Sequence, residues 1–262
     1  MSIVNRVVLL FFIYSVIGWL WETVYCSLKA KKFVYRGFLV GPYCPIYGFG
    51  VVSVLYFVEP YQNNLVVLYF FSAVLVTVLE YLTSYVLEKL FHATWWDYHD
   101  VPLNINGRVA VPVSLFWGVA CVLIVKVINP QVLMLAQLLE RTFGNALPII
   151  LLVVMAVDLV YTVTSMLAFR KAMAAWSSAV ESSKAELKAR VATEFEEKKE
   201  KLEVSRSELW AKLHEKNSEL VKLPKIKLNH RRVLGGFSQL KMTDVANMEE
   251  LRAALKELRP KK

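Results

Sequence analysis

The charges of this chain are sorted by position, and that sorting constrains the fold more than any motif does. Residues 1–169 hold 9 Lys+Arg and 8 Asp+Glu, whereas residues 170–262 hold 22 and 14, which is +8 of the net +9. An apolar, nearly neutral first part joined to a charged, basic second part excludes a single soluble domain, a disordered chain and a fibrous repeat. It fits an integral membrane domain with a cytosolic extension. Five stretches are apolar enough to be read as crossings of a hydrocarbon layer of about 30 Å, which takes roughly 20 helical residues. They are Ile3–Tyr25, Pro42–Val58, Leu65–Leu87, Val109–Ile128 and Ala146–Phe169. The second is short and opens on Pro42 and Pro45, which suggests a broken or partly re-entrant helix. The first has one basic residue before it, no small-residue cleavage site, and runs on into Glu22, so it reads as a span rather than a cleaved signal peptide.

Lys and Arg near the span ends set the orientation. Lys29, Lys31, Lys32, Arg36, Lys89, Arg108, Arg170 and Lys171 fall on one side, and Arg6, Lys126 and Arg141 on the other. Eight against three, with an odd number of spans, predicts the N-terminus outside and the C-terminus in the cytosol.

Beyond the spans, residues 170–223 carry a sparse apolar stripe with heptad steps such as Val180 to Leu187 and Phe195 to Leu202. Acids and bases nearly balance there, as on a solvated, coiled-coil-like helix that cannot bury itself alone. Pro224 ends it. Residues 224–262 read as a basic linker, with a turn at Gly235-Gly236, and a short last helix opened by Asn247 and Glu250 as a capping box. Anionic lipid headgroups and nucleic acid both fit the basic cluster, as does a plain solvated linker; no nucleic-acid partner is expected.

The chemistry concentrates in the membrane domain. Glu22, Glu80 and Asp158 interrupt the spans, where a charge costs roughly 2.5–3.5 kcal/mol on insertion scales, so each is expected to face protein or water. Each sits on a polar stripe of helical spacing: Ser15, Gly18, Trp19 and Glu22; Thr77, Glu80, Thr83 and Ser84; Asp158, Thr162 and Ser165. Arg36 and Arg108, on the expected inner face, are the natural partners for Glu22 and Glu80, because a guanidinium binds carboxylates bidentately and stays charged. Between Arg36 and Gly50 lie Gly37, Gly41, Pro42, Tyr43, Cys44, Pro45, Tyr47 and Gly48. Irregular backbone of this kind is tolerated at membrane depth only under a cover of protein or along a water-filled cavity, as in sites built on broken helices. The loop from Phe91 to Asp100 adds His92, Asp97, His99 and Asp100, a spacing that matches no strong metal pattern. Cys26, Cys44 and Cys121 form no framework, and there is no Walker A string. No cofactor is expected.

These residues resemble a family, the bacterial ABC-transporter type IV permeases, or CmpB-like proteins. Tyr14-Ser15, Gly18-Trp19 and Glu22 carry the likeness, with Arg36-Gly37, Gly41-Pro42, Pro45, Tyr47 and Gly48. It continues through Leu79-Glu80-Tyr81, Ser84, Glu88-Lys89, Trp96-Asp97-Tyr98, Asn106-Gly107-Arg108 and Trp117-Gly118. The likeness covers roughly Phe11 to Pro130, and implies a polytopic bacterial membrane protein of transporter type without assigning it a substrate.

The expectation is therefore an all-α, five-span bacterial inner-membrane protein with a long cytosolic helical tail. It would be a permease component for a small solute or ion, in contact with membrane lipids and working as a homo- or hetero-oligomer. Any ATPase would be a separate subunit. Glu22, Glu80 and Asp158 would line the path, with Arg36, Arg108, Ser15, Trp19, Thr77, Ser84, Asp97 and Asn106 near it and the Arg36–Gly50 loop as its inner gate. An inner-membrane enzyme acting on lipid or isoprenoid, or a scaffold working through its tail, are the rival readings.

Overall fold

The computed structural model describes residues 2–58, 61, 63–197, 227–237 and 239–245. Four helices are long and apolar enough to cross a membrane. The first is α1, Ile3–Ala30. After α2 (Pro45–Val58) comes α3, Leu65–Phe91. Next, α4 (Val111–Leu123) passes through a π-helical turn at Ile124–Ile128 into α5, Asn129–Phe143. Last of the four, α6 is Ala146–Glu197. A short helix, α7, occupies Leu228–Gly236. Of the five expected spans, the short second one is not matched by such a helix among the described residues: α2 has 14 residues and reaches only ~21 Å at ~1.5 Å per residue.

What precedes α2 explains its shortness. Lys31 leaves α1 in the left-handed region, and the chain turns back along α1 as extended backbone. The Val34 N–H donates to Ser27 Oγ at 2.9 Å, the Tyr35 ring lies 5.3 Å from that of Trp19, and the Cys44 N–H donates to the Ser15 carbonyl at 2.9 Å. From Ser27 to Ser15 is twelve residues of α1, ~18 Å of depth at the helical rise. Pro42 and Pro45 bar a helix here by removing N–H donors, and Gly37 turns at φ 100°, where side chains are strained. Residues 33–58 are therefore half non-helical segment and half helix.

Small residues let α2 lie close against α1. A Cβ on Gly48 would come within 2.5 Å of the Phe11 carbonyl oxygen and 2.3 Å of Ser15 Oγ, and one on Gly18 within 2.5 Å of Tyr47 Cβ. This is the close approach that glycine permits between helices lacking a hydrophobic drive to associate. Gly48→Ala should destabilise the bundle by about 1–3 kcal/mol, read as a lower temperature of aggregation in detergent, since the Phe11 backbone cannot step aside. On its other faces α2 meets two apolar clusters. Val51 packs with Leu9, Leu10, Tyr14, Val132 and Ala136; Val54 and Val58 pack with Leu68, Cys121 and Val125.

Two boundaries differ from expectation. The fourth helix does not stop near Ile128. Pro130 takes one of the first positions of α5, and the wide π turn before it absorbs the missing N–H and the ring clash. Tyr14 Oη donates to Asn129 Oδ1 there at 3.0 Å, tying the turn to α1. Gly235-Gly236 is likewise no turn but the end of α7, where a Cβ on Gly236 would lie 2.7 Å from the Tyr35 carbonyl oxygen.

Of the described residues, those up to 166 and those in 228–240 belong to one compact unit; 167–197, 227 and 241–245 belong to a second. Within the second, α6 continues to Glu197, and Arg170 Nε donates to Asp244 Oδ2 at 2.7 Å. The rest of the expected tail helix to residue 223, and the last helix from Asn247, lie outside the described residues.

Candidate functional site

Two polar clusters form where the extended segment meets the helices, and they divide the sequence's candidates between them. The first surrounds a cavity of about 180 Å³ bounded by α1, α2, α3, α4 and the segment between α3 and α4. Glu22, Arg36, Tyr47, Glu80, Trp96, Tyr98 and Trp117 stand on its wall among apolar side chains such as Val51, Val76 and Leu79. Glu22 is held on both oxygens: Arg36 Nε donates to Oε2 at 3.1 Å and Tyr47 Oη to Oε1 at 2.9 Å. Glu80 is held on one. Tyr98 Oη donates to its Oε1 at 3.1 Å, while Oε2 is shut off from solvent and has no hydrogen-bond partner among the described residues. Burial, and then the Glu80 charge, pushes the Tyr98 phenol above the usual tyrosine range, so it stays a donor.

Tyr98 reaches Glu80 because the segment before α4 is tightly folded. Asn104–Ile105 and Val109–Ala110 pair antiparallel around a turn, with Asn106 and Gly107 at positive φ. The Tyr98 N–H donates to the Gly107 carbonyl at 2.8 Å, and Trp96 Nε1 to the Arg108 carbonyl at 2.9 Å.

The second cluster is a clasp around Asp158. The N–H groups of Val40 and Gly41 donate to its carboxylate at 3.0 and 2.7 Å, Tyr43 Oη at 2.7 Å and Thr162 Oγ1 at 3.0 Å. Its lone pairs are occupied by the extended segment, and it does not line the Glu22–Glu80 cavity. Of the three intramembrane acids, two share a cavity and the third fastens the backbone beside it.

The remaining candidates fall into supporting places. Of the four possible pairs of Arg36 and Arg108 with Glu22 and Glu80, of which at least one was expected, Arg36–Glu22 forms, whereas Arg108 pairs with Glu88, two turns from Glu80 on α3. Ser15 is buried and Trp19 stacks on the segment. Thr77 donates to Ser114 Oγ at 2.7 Å, joining α3 to α4. Ser84 is buried in α3. Asp97 accepts from the His99 N–H at 3.0 Å and Asn106 reaches the Tyr81 hydroxyl at 3.4 Å, both holding loop turns. Cys44 is only 6% exposed and sits in the segment's core-facing side, a packing role rather than a reactive one. No group of three or more metal-ligating side chains occurs among the described residues.

Helix α7 supplies what the sequence did not announce. Arg232 donates to the Gly37 and Phe38 carbonyls at 2.8 and 2.7 Å and is braced by Asn229 Oδ1 at 3.1 Å; burial pulls its pKa down, with Tyr35 countering. Arg36 Nη1 donates to the Gly236 carbonyl at 2.6 Å and its guanidinium lies 4.3 Å over the Phe237 ring. His230 Nε2 lies 3.0 Å from Ser165 Oγ. The extended segment is thus held from α1, from α6 and from α7.

No curated protein and no solved structure gives a significant match. A family model does: the one described as "Putative ABC-transporter type IV" aligns with residues 9–163. That stretch takes in α1 to α5, both clusters' acids and the whole extended segment, and runs past the Phe11–Pro130 range of the resemblance. The match spans more than half of the chain, and the protein belongs to this ABC-transporter type IV family.

Proposed function

We propose that the chain is the membrane-embedded permease component of a small-solute transport system, loading its substrate into the Glu22–Glu80 cavity from the cytosolic side of a bacterial inner membrane. The observation that carries the reading is the cavity itself: a space of about 180 Å³ at a broken passage of the chain, with two carboxylates on an otherwise largely apolar wall. Such sites recur where irregular backbone interrupts a membrane bundle. Placing Arg36 and the Trp96–Tyr98 segment on the inner face follows from the basic asymmetry of the loops, with the N-terminus outside and the long tail inside. Glu80, Glu22, Arg36, Tyr47 and Tyr98 make up the substrate wall in this reading, while Asp158 sets the position of the segment that closes it. ATP hydrolysis would come from a separate chain, and four long helices imply partnership with a further copy or another subunit to complete a path.

Accessibility tests both halves of the proposal. In a variant with Cys26, Cys44 and Cys121 replaced by alanine, an impermeant thiol reagent should mark Asn63→Cys but not Lys31→Cys in intact cells. In inside-out vesicles it should mark Lys31→Cys and also Leu79→Cys on the cavity wall. The reverse pattern at positions 63 and 31 overturns the orientation. A Leu79→Cys thiol that stays inert from both faces overturns the inward-open cavity.

A further inference from the structure

We infer that the Glu22–Glu80 cavity selects a small monovalent organic cation, a compact substituted ammonium, as its ligand. The inference rests on the permease reading for its meaning in the cell but not for its chemistry.

The charge on the wall is unbalanced. Among the described residues, the charged ones on the cavity wall are Glu22, Arg36 and Glu80. Arg36 lies 3.1 Å from Glu22 and turns its other nitrogen to the Gly236 carbonyl, so its charge is taken up at that end. Among the described residues Glu80 has a neutral donor, the Tyr98 hydroxyl, and no cation bonded to it. Its Oε2 is buried without a partner among the described residues, an arrangement that costs free energy unless something occupies it. Glu80 itself lines the cavity, so a ligand seated there that carries a positive charge meets a carboxylate with no opposing charge beside it among the described residues.

The rest of the wall says which kind. A metal ion would need several oxygen or nitrogen ligands, and Tyr47, Trp96, Tyr98 and Trp117 with Val51, Val76 and Leu79 offer mainly rings and alkyl groups. Tyr47 and Trp117 stand 5.6 Å apart edge to face on this wall. Aromatic faces beside a carboxylate are how proteins hold alkylated ammonium groups: the rings' negative faces attract the cation while its alkyl shell stays out of water. A cavity of about 180 Å³ has room for a compact ammonium. An anion would meet two carboxylates, and a neutral solute would leave Glu80 uncompensated.

Binding to the purified full-length protein in nanodiscs tests this without any transport assay. Tetramethylammonium should quench or shift tryptophan fluorescence saturably, and tert-butyl alcohol, its neutral near-isostere, should bind at least tenfold more weakly. Glu80→Gln should weaken tetramethylammonium at least tenfold while leaving tert-butyl alcohol unchanged, with helicity and gel-filtration behaviour checked alongside. Trp117→Leu should weaken the cation with Glu80 intact, which separates a ring contribution from charge alone. Equal binding of the neutral analogue, tighter binding of acetate, or cation binding indifferent to both substitutions would each overturn the ligand class. Cation binding in a protein whose Leu79→Cys thiol is inert from both faces would keep the ligand class and remove the inward-open permease reading. An accessible cavity that binds only neutral or anionic solutes would do the opposite.

Discussion

An Asp158→Ala protein should exchange the amide protons of Val40 and Gly41 at least a hundredfold faster than the native protein. Four donors converge on that carboxylate, two of them backbone N–H groups of the extended segment. Hydrogen bonds to a charged group contribute about 1.5–3 kcal/mol each, and about 1.4 kcal/mol is a factor of ten. Even if water replaces half of them, roughly 3 kcal/mol of local protection is lost. Alanine offers no acceptor, and a segment between Pro42 and Gly37 has no helix or sheet to fall back on. Asp158→Asn is the control: it keeps the shape and one strong acceptor but brings its own donors, so it should fall between the two. Hydrogen exchange in detergent, resolved to peptides covering residues 33–44, reads the difference. Native-like protection in Asp158→Ala would mean that α1 and α7 alone hold the segment.

The pair Glu22–Arg36 should show the next largest effect, and a particular pattern. Removing one member of a buried ion pair costs about 3–5 kcal/mol, because the survivor is left uncompensated, whereas replacing both is often nearly neutral. Here the side chains keep 19% and 24% of their exposure, so water screens part of the loss and about 2 kcal/mol for either single change is the fitting scale. Glu22→Gln and Arg36→Gln should each lower the melting temperature in detergent by about 4–8 °C, at 2–4 °C per kcal/mol for a chain of this size. The double variant should melt above the sum of the two losses, by at least about 1 kcal/mol of coupling. Simple additivity would show that the contact holds no net energy and that Arg36 is placed by Gly236 and Phe237 instead.

Particular residues show how far the sequence can be read in such a protein. Apolar runs interrupted by lone acids, and a glycine- and proline-rich stretch after the first helix, are local signals, and they gave the spans, the break before α2 and the acids of the cavity. Contacts across long separations leave no local trace. Asp158 was grouped with Glu22 and Glu80 because all three are lone acids in apolar runs. That it is met by Val40 and Gly41, more than a hundred residues away, depends on which way α6 is turned. Arg108 was offered to Glu22 and Glu80 alike on depth, yet the two-residue strands around Asn106 set it beside Glu88, two turns along α3 from Glu80. The fourth span was ended at Ile128, and the π turn that carries the helix on past Pro130 has no sequence mark of its own. Helix α7 was hidden by its composition. Basic residues suggest a solvated linker, but Arg232 spends its donors on the Gly37 and Phe38 carbonyls, which leaves no periodic pattern to find.

The grip of α7 on the extended segment also sets an order in time. Arg36 and its acceptor Gly236 are 200 positions apart, and at about 5–20 residues per second a ribosome takes roughly 10–40 s to go from one to the other. Through that interval α1 to α6 can be inserted and packed, while the Arg36–Phe38 backbone waits with two of its carbonyls and one guanidinium nitrogen unmet. The cavity wall is therefore finished only when the far end of the polypeptide returns to it. An interrupted product would pass as an inserted membrane protein and still lack a completed wall. Synthesis itself acts as a checkpoint, withholding a finished cavity wall from a half-made chain.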